Sequence, residues 1–64
     1  MKLEVYTIPQ FIQAASTAGA EGDFDTLDKL EYIANDWMIP TDERNALLSL
    51  IEMARLCAEY MDEQ

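Results

Sequence analysis

The nucleophilic side chains of this sequence lack the residue that most often activates them. Ser16, Ser49 and Cys57 carry hydroxyl or thiol groups, but the 64-residue chain contains no histidine. Histidine is the commonest general base and proton shuttle near neutral pH. Cys57 also falls within the apolar arc of a predicted helix, where a cysteine usually packs rather than reacts. We therefore predict a protein that is not an enzyme.

One acidic segment begins like a calcium-binding loop. Asp23 and Asp25 form the Asp-x-Asp pair that opens such loops. The match ends there, because the fifth position is Leu27, the sixth is Asp28 instead of glycine, and the twelfth is Ala34 instead of glutamate. One cysteine and no histidine disfavour a zinc site even more strongly than a calcium site. We expect these acids to cap a helix, and we predict no metal and no cofactor.

The charge of the chain disfavours direct contact with nucleic acid or an anionic membrane. Thirteen acidic residues against four basic ones give a net charge of −9, and both of those partners attract the opposite sign. A DNA-recognition helix would also need several basic or amide side chains. The third predicted helix offers only Arg44, Asn45 and Arg55, set among acids. A protein partner with a basic surface is the expected complement.

Apolar spacing and helix-capping residues predict a first helix from Ile8 to Ala18. Its buried stripe, at the i, i+3, i+4, i+7 spacing, comprises Ile8, Phe11, Ile12 and Ala15. Thr7 is the predicted N-cap, with Gln10 at the capping-box position. Gly19 is the predicted residue that ends the helix.

A second helix is predicted to begin at Asp23 or Asp25 and to run to Trp37 or Met38, ended by Pro40. Its predicted inward stripe is Leu27, Leu30, Ala34, Trp37 and Met38. Its predicted outward stripe, here called the α2 stripe, is Asp25, Asp28, Lys29, Tyr32 and Asp36.

The third predicted helix, from Thr41 to Met61 with Thr41 as its cap, is more apolar than a lone surface helix needs to be. At about 100° per residue its apolar residues fill roughly half of the helical wheel. They are Ala46, Leu47, Leu50, Ile51, Met53, Ala54, Cys57, Ala58, Tyr60 and Met61. So wide an arc must be covered by the rest of the chain, by a second copy or by another protein.

Together these elements predict one all-α domain spanning residues 1–64. It is a small three-helix bundle or a helical hairpin, with a short extended N-terminal arm over residues 1–6. The single cysteine excludes an internal disulfide. The chain has neither a signal-peptide pattern nor an apolar run of about 20 residues, so we predict a cytoplasmic protein.

Two surfaces are candidates for binding a partner. On the second helix, Asp25, Asp28 and Asp36 surround Tyr32, an amphipathic side chain suited to anchoring a contact. Spaced carboxylates could also imitate nucleic-acid phosphates, although such a row is usually only a solvated face. On the third helix, the candidates are Leu48, Met53, Leu56 and Tyr60. The alternative is that the first helix and the N-terminal arm cover Leu48 and Leu56.

The hypothesis that follows is a non-enzymatic, acidic protein-interaction module, expected to form a homodimer. In size, acidity and lack of histidine it resembles the small helical proteins of phages and mobile elements that inhibit host enzymes or defence systems. That resemblance of type implies an inhibitor that occludes a basic, nucleic-acid-binding surface of a host protein. The alternative is a structural or assembly subunit of an obligate helical homo-oligomer.

Overall fold

The chain forms three α-helices joined by short connections. A computed structural model describes the backbone of residues 5–62 and the side chains of residues 5–60. It contains α1 (Ile8–Glu21), α2 (Phe24–Asp36) and α3 (Thr41–Asp62), which confirms the predicted all-α three-helix bundle. Val5 and Tyr6 precede α1 without regular secondary structure. The remainder of the predicted N-terminal arm lies outside the described residues.

The start of α1 is the predicted capping box. The hydroxyl of Thr7 accepts a hydrogen bond from the Gln10 N–H at 3.3 Å, and the Gln10 side chain accepts one from the Thr7 N–H at 3.1 Å. The predicted end at Ala18 was wrong, because the helix continues to Glu21. Gly22, at φ 69°, is the C-cap. A left-handed φ is readily adopted by glycine, which explains why the helix ends there.

The start of α2 settles which aspartate is the cap. The Asp23 carboxylate accepts hydrogen bonds from the Thr26 N–H at 3.2 Å and from the Thr26 hydroxyl at 2.6 Å. These bonds favour the charged form and hold the pKa of Asp23 below its ordinary value. Asp23, rather than Asp25, is therefore the cap, and its side chain satisfies one of the free N–H groups of this helix start.

Helix α2 ends at Asp36, one residue before the earlier of its two predicted ends. Trp37 has extended backbone angles, and Met38 follows it out of the helix with a side chain that is 97% exposed. The prediction that Met38 faces the core was wrong, because a residue outside the helix no longer shares the stripe of Leu30 and Ala34. Trp37 stays half-buried against the core, with its ring 6.1 Å from that of Phe11.

Helix α3 agrees with the predicted bounds to within one residue. Thr41 is its first helical residue rather than its cap, because the Arg44 N–H bonds to the carbonyl of Pro40 at 3.0 Å. The carbonyl that accepts the first helical bond thus belongs to Pro40, one residue earlier than predicted.

The core consists of small and medium apolar side chains drawn from all three helices. Its largest fully buried members are Phe11, Leu27, Leu30 and Ile51. The other buried hydrophobic residues are Ala15, Ala18, Ala34, Leu47, Ala54 and Ala58. The first-helix stripe was only partly right, since Ile12 is 44% exposed at the edge of the contact with α3.

Candidate interaction surfaces

The α2 stripe faces solvent as predicted, but two of its aspartates already have partners in the same chain. Tyr32 is 77% exposed, and Asp25, Asp28 and Asp36 are exposed as well. Asp25 lies 3.2 Å from the ammonium group of Lys29, one helical turn later. Asp28 accepts a hydrogen bond from Arg55, a residue of α3. Only Asp36 among the three aspartates of the stripe is outside the ion pairs of the described side chains.

Arg55 is the side chain that links α3 to this face of α2. Its guanidinium donates hydrogen bonds to Glu31 at 2.8 Å and to Asp28 at 2.6 Å. These bonds raise the pKa of Arg55 above its ordinary value. The i, i+3 and i, i+4 spacing of Glu52, Arg55 and Glu59 on the same helix predicts pairs within α3, and this prediction is wrong. Arg55 instead lies towards α2, where two carboxylates one helical turn apart both accept hydrogen bonds from its planar guanidinium group.

Replacing Arg55 by methionine is expected to lower the free energy of unfolding by roughly 1–2 kcal/mol. Glu31 and Asp28 would lose the cation that holds them, although both carboxylates reach solvent, which keeps the cost below that of a fully buried pair. Urea denaturation followed by circular dichroism measures the change. The control is Lys29→Met, which breaks only an exposed pair within one helix and should cost less than about 0.5 kcal/mol. Equal losses would show that Arg55 does not join the helices.

Arg44 also binds α2, through a contact that the sequence did not predict. Its guanidinium donates to the carbonyl oxygens of Ala34 at 3.1 Å and Trp37 at 2.7 Å, at the end of α2. The last carbonyls of a helix lack partners within the helix and carry a partial negative charge. Arg44 therefore satisfies this terminus and is not free to bind an external anion.

The internal use of basic side chains leaves a broadly anionic surface. Among the side chains of residues 5–60, Lys29, Arg44 and Arg55 all contact their own chain. Seven of the ten carboxylates in that range are outside ion pairs. They are Glu21, Asp23, Asp36, Asp42, Glu43, Glu52 and Glu59. The negative surface thus extends well beyond the α2 stripe, over both connections and much of α3.

The four candidate residues of α3 differ in their exposure to solvent. Leu48 is half-buried and packs against the core, whereas Met53, Leu56 and Tyr60 are 66%, 65% and 65% exposed. Positions eight residues apart differ by about 80° around a helix. That rotation is enough to place Leu48 at the edge of the core and Leu56 in solvent. Leu48 therefore has a structural role, and the other three residues remain candidates for contact.

These three side chains border a shallow depression between α1 and α3. The depression, here called the α1–α3 groove, is formed by Ser16, Gly19, Ala20, Met53, Leu56, Cys57 and Tyr60. The depression arises because α1 has no large apolar side chain after Ile12. Gly19 brings the helices together, since a Cβ added there would lie 3.1 Å from the Cβ of Ala54. Small residues on α1 allow close contact but cannot cover the larger side chains of α3.

Cys57 lies in this groove and is exposed. The prediction that it packs inside the apolar arc was therefore wrong. The residues that face it from α1 are small, among them Gly19 and Ala20. The helical wheel correctly indicated an apolar environment, but it could not indicate that the opposite helix leaves this environment open.

Comparisons with models of protein families, with curated proteins and with solved structures found no match to this chain. Within the described residues, no group of three or more cysteine, aspartate or glutamate side chains is arranged to hold a metal ion. No helix in that part of the chain combines the length and apolar character needed to cross a membrane. Function is therefore inferred from the geometry and charge of the chain itself.

Proposed function

We propose that this chain is a non-enzymatic interaction module that binds a basic surface of another protein and thereby occludes it. The observation that supports this is the internal use of Lys29, Arg44 and Arg55, which leaves carboxylates facing solvent. A small body with an excess of one charge attracts partners of the opposite charge and orients them as they approach. The absence of histidine supports the non-enzymatic part of the proposal.

The proposed occlusion depends on overall charge rather than on a phosphate-like row of carboxylates. Two of the three aspartates in the α2 stripe are neutralised by cations of the same chain, so the stripe is not an unbroken anionic row. Asp36, with the exposed Tyr32 one turn before it, is the part of the stripe open to a partner. A groove that normally holds nucleic acid is one basic surface that such a protein would cover.

The proposal is tested by the salt dependence of binding to a partner captured from the source cells. Between about 0.1 M and about 1 M salt the Debye length falls from about 10 Å to about 3 Å. We therefore expect the affinity to fall at least about tenfold over this range. Affinity that is unchanged across this range would contradict the proposal.

Two single substitutions change the net charge in opposite directions and serve as matched controls in the same measurement. Asp36→Asn removes a carboxylate and should weaken binding, whereas Lys29→Gln removes a cation and should preserve or strengthen it. Both residues are exposed on α2, so neither change disturbs the core. Weaker binding by both variants to the same extent would indicate local disruption instead of electrostatic attraction.

A second candidate function, a subunit of an obligate helical homo-oligomer, is favoured by the exposure of Met53, Leu56 and Tyr60. Large apolar side chains grouped on a surface often mark a site of association. Sedimentation at increasing protein concentration distinguishes the two functions. A monomer at all concentrations excludes the homo-oligomer, and a stable oligomer at the lowest concentration supports it.

A further inference from the structure

The α1–α3 groove presents an uncharged surface about two helical turns long. Met53, Leu56 and Tyr60 lie on its α3 side and span eight residues, or about 10 Å of helix. Its α1 side offers only small, uncharged residues such as Ser16 and Ala20. Two turns of a partner helix are therefore enough to cover the exposed part of α3.

One edge of this apolar surface is negatively charged. Glu52 precedes Leu56 by four residues and Glu59 follows it by three, and both spacings place side chains next to each other on a helix surface. Both glutamates are exposed and outside the ion pairs of the described side chains. A molecule that covers Leu56 therefore also meets two carboxylates.

A second copy of this chain does not complement that edge. Each copy has a net charge of −9, and its described cations, Lys29, Arg44 and Arg55, all pair with groups of their own chain. Two grooves placed face to face would bring the glutamates of both copies to one interface without a free cation from the described residues. Like charges at an interface oppose association.

We infer that the α1–α3 groove binds an α-helix of a partner protein that is apolar on one face and carries lysine or arginine along one edge. The inference rests on the proposed function, because it specifies how the basic partner is held. Apolar side chains at i, i+3 or i+4, and i+7 of such a helix cover Met53, Leu56 and Tyr60. Its basic edge pairs with Glu52 and Glu59.

Cys57 provides a direct measurement of groove occupancy in the unmodified protein. It is the only cysteine of the sequence, and it is exposed within the groove. The probe is a synthetic leucine–lysine peptide with leucine on one helical face, and the control peptide has alanine in place of leucine at equal charge. Peptide binding is measured by fluorescence anisotropy, and the rate of Cys57 alkylation by iodoacetamide, a neutral reagent, is measured with and without peptide.

We expect the leucine–lysine peptide to protect Cys57. At ten times its dissociation constant it leaves about a tenth of the protein free, so alkylation should slow about tenfold. The alanine–lysine peptide should give no such protection at equal occupancy. A peptide that binds without protecting Cys57 would overturn the groove as the docking site but leave the proposed function standing. If neither peptide binds, the inference is overturned, whereas the proposed function is decided by the salt dependence of partner binding.

A pair of double variants tests the charged edge. Glu52→Gln with Glu59→Gln should weaken the leucine–lysine peptide about tenfold. Asp42→Asn with Glu43→Gln removes the same charge at the exposed start of α3 and should weaken it much less. Equal weakening by both variants would overturn the role of the edge. Protection of Cys57 that increases with the concentration of the protein alone would show a second copy in the groove and overturn the inference.

Discussion

Replacing Phe11 by alanine is expected to lower the free energy of unfolding by about 3–5 kcal/mol. Phe11 is fully buried and contacts the core from α1, with its ring 6.1 Å from that of Trp37. Its removal would leave a cavity that the surrounding alanines and leucines cannot fill. A domain of 64 residues is expected to have only about 3–10 kcal/mol of total stability. Urea denaturation followed by circular dichroism should therefore show a large loss of folded protein even without urea.

The matched control for this substitution is Tyr32→Ala. Tyr32 is also aromatic, but its side chain is 77% exposed on α2, and surface substitutions usually change stability by less than about 0.5 kcal/mol. A similar loss of stability in both variants would contradict the location of the core that is described above.

Replacing Gly19 by leucine is expected to destabilise the protein by about 2 kcal/mol or more. A Cβ at this position would lie 3.1 Å from both the Cβ and the carbonyl oxygen of Ala54, so the side chain would force α1 away from α3. Such overpacking costs about 1–3 kcal/mol for a few added methylene groups and more for a whole side chain. The higher helix propensity of leucine offsets only about 1 kcal/mol of this cost. Thermal unfolding should show a midpoint lower by roughly 10 °C.

The control for the close contact is the same substitution one residue later. Ala20 is exposed at the edge of the α1–α3 groove, so Ala20→Leu should change the unfolding free energy by less than about 0.5 kcal/mol. If Gly19→Leu were as stable as Ala20→Leu, the two helices could not be in close contact at this point.

The start of α1 was predictable, and the cap of α2 was limited to Asp23 or Asp25, because capping contacts are local. The Thr7 and Gln10 capping box and the Asp23 cap each involve residues three positions apart, so the sequence alone contains both partners. The inward positions of Phe11, Leu27 and Leu30 were also predictable, since helical periodicity determines which residues share a face.

The ends of α1 and α2 were predicted less well because tertiary contact competes with local signals. Gly19 and Gly22 are both plausible ends for α1, and nothing local distinguishes them. Gly19 is required for contact with Ala54, which leaves Gly22 to end the helix. Met38 was placed in the core because it continues the stripe of α2, but the helix ends before it.

The candidate surfaces show more clearly the same difference between local signals and tertiary contacts. Arg55 was expected to pair with glutamates of its own helix, three or four residues away. In the fold it binds Glu31 and Asp28, which lie 24 and 27 residues away. Sequence spacing could not predict these pairs, because they depend on the rotation of α3 against α2.

The sequence by itself determined three amphipathic helices, the capping box of α1 and a strongly negative net charge, because these follow from local spacing and composition. Only the tertiary structure decided that Leu48 packs against the core while Leu56 and Cys57 stay exposed, and that Arg44 and Arg55 bind groups of α2. The physical reason is that periodicity gives each residue an angle around its own helix. What covers that residue depends on the size of the side chains on the neighbouring helix, and α1 offers α3 mainly glycine, alanine and serine there.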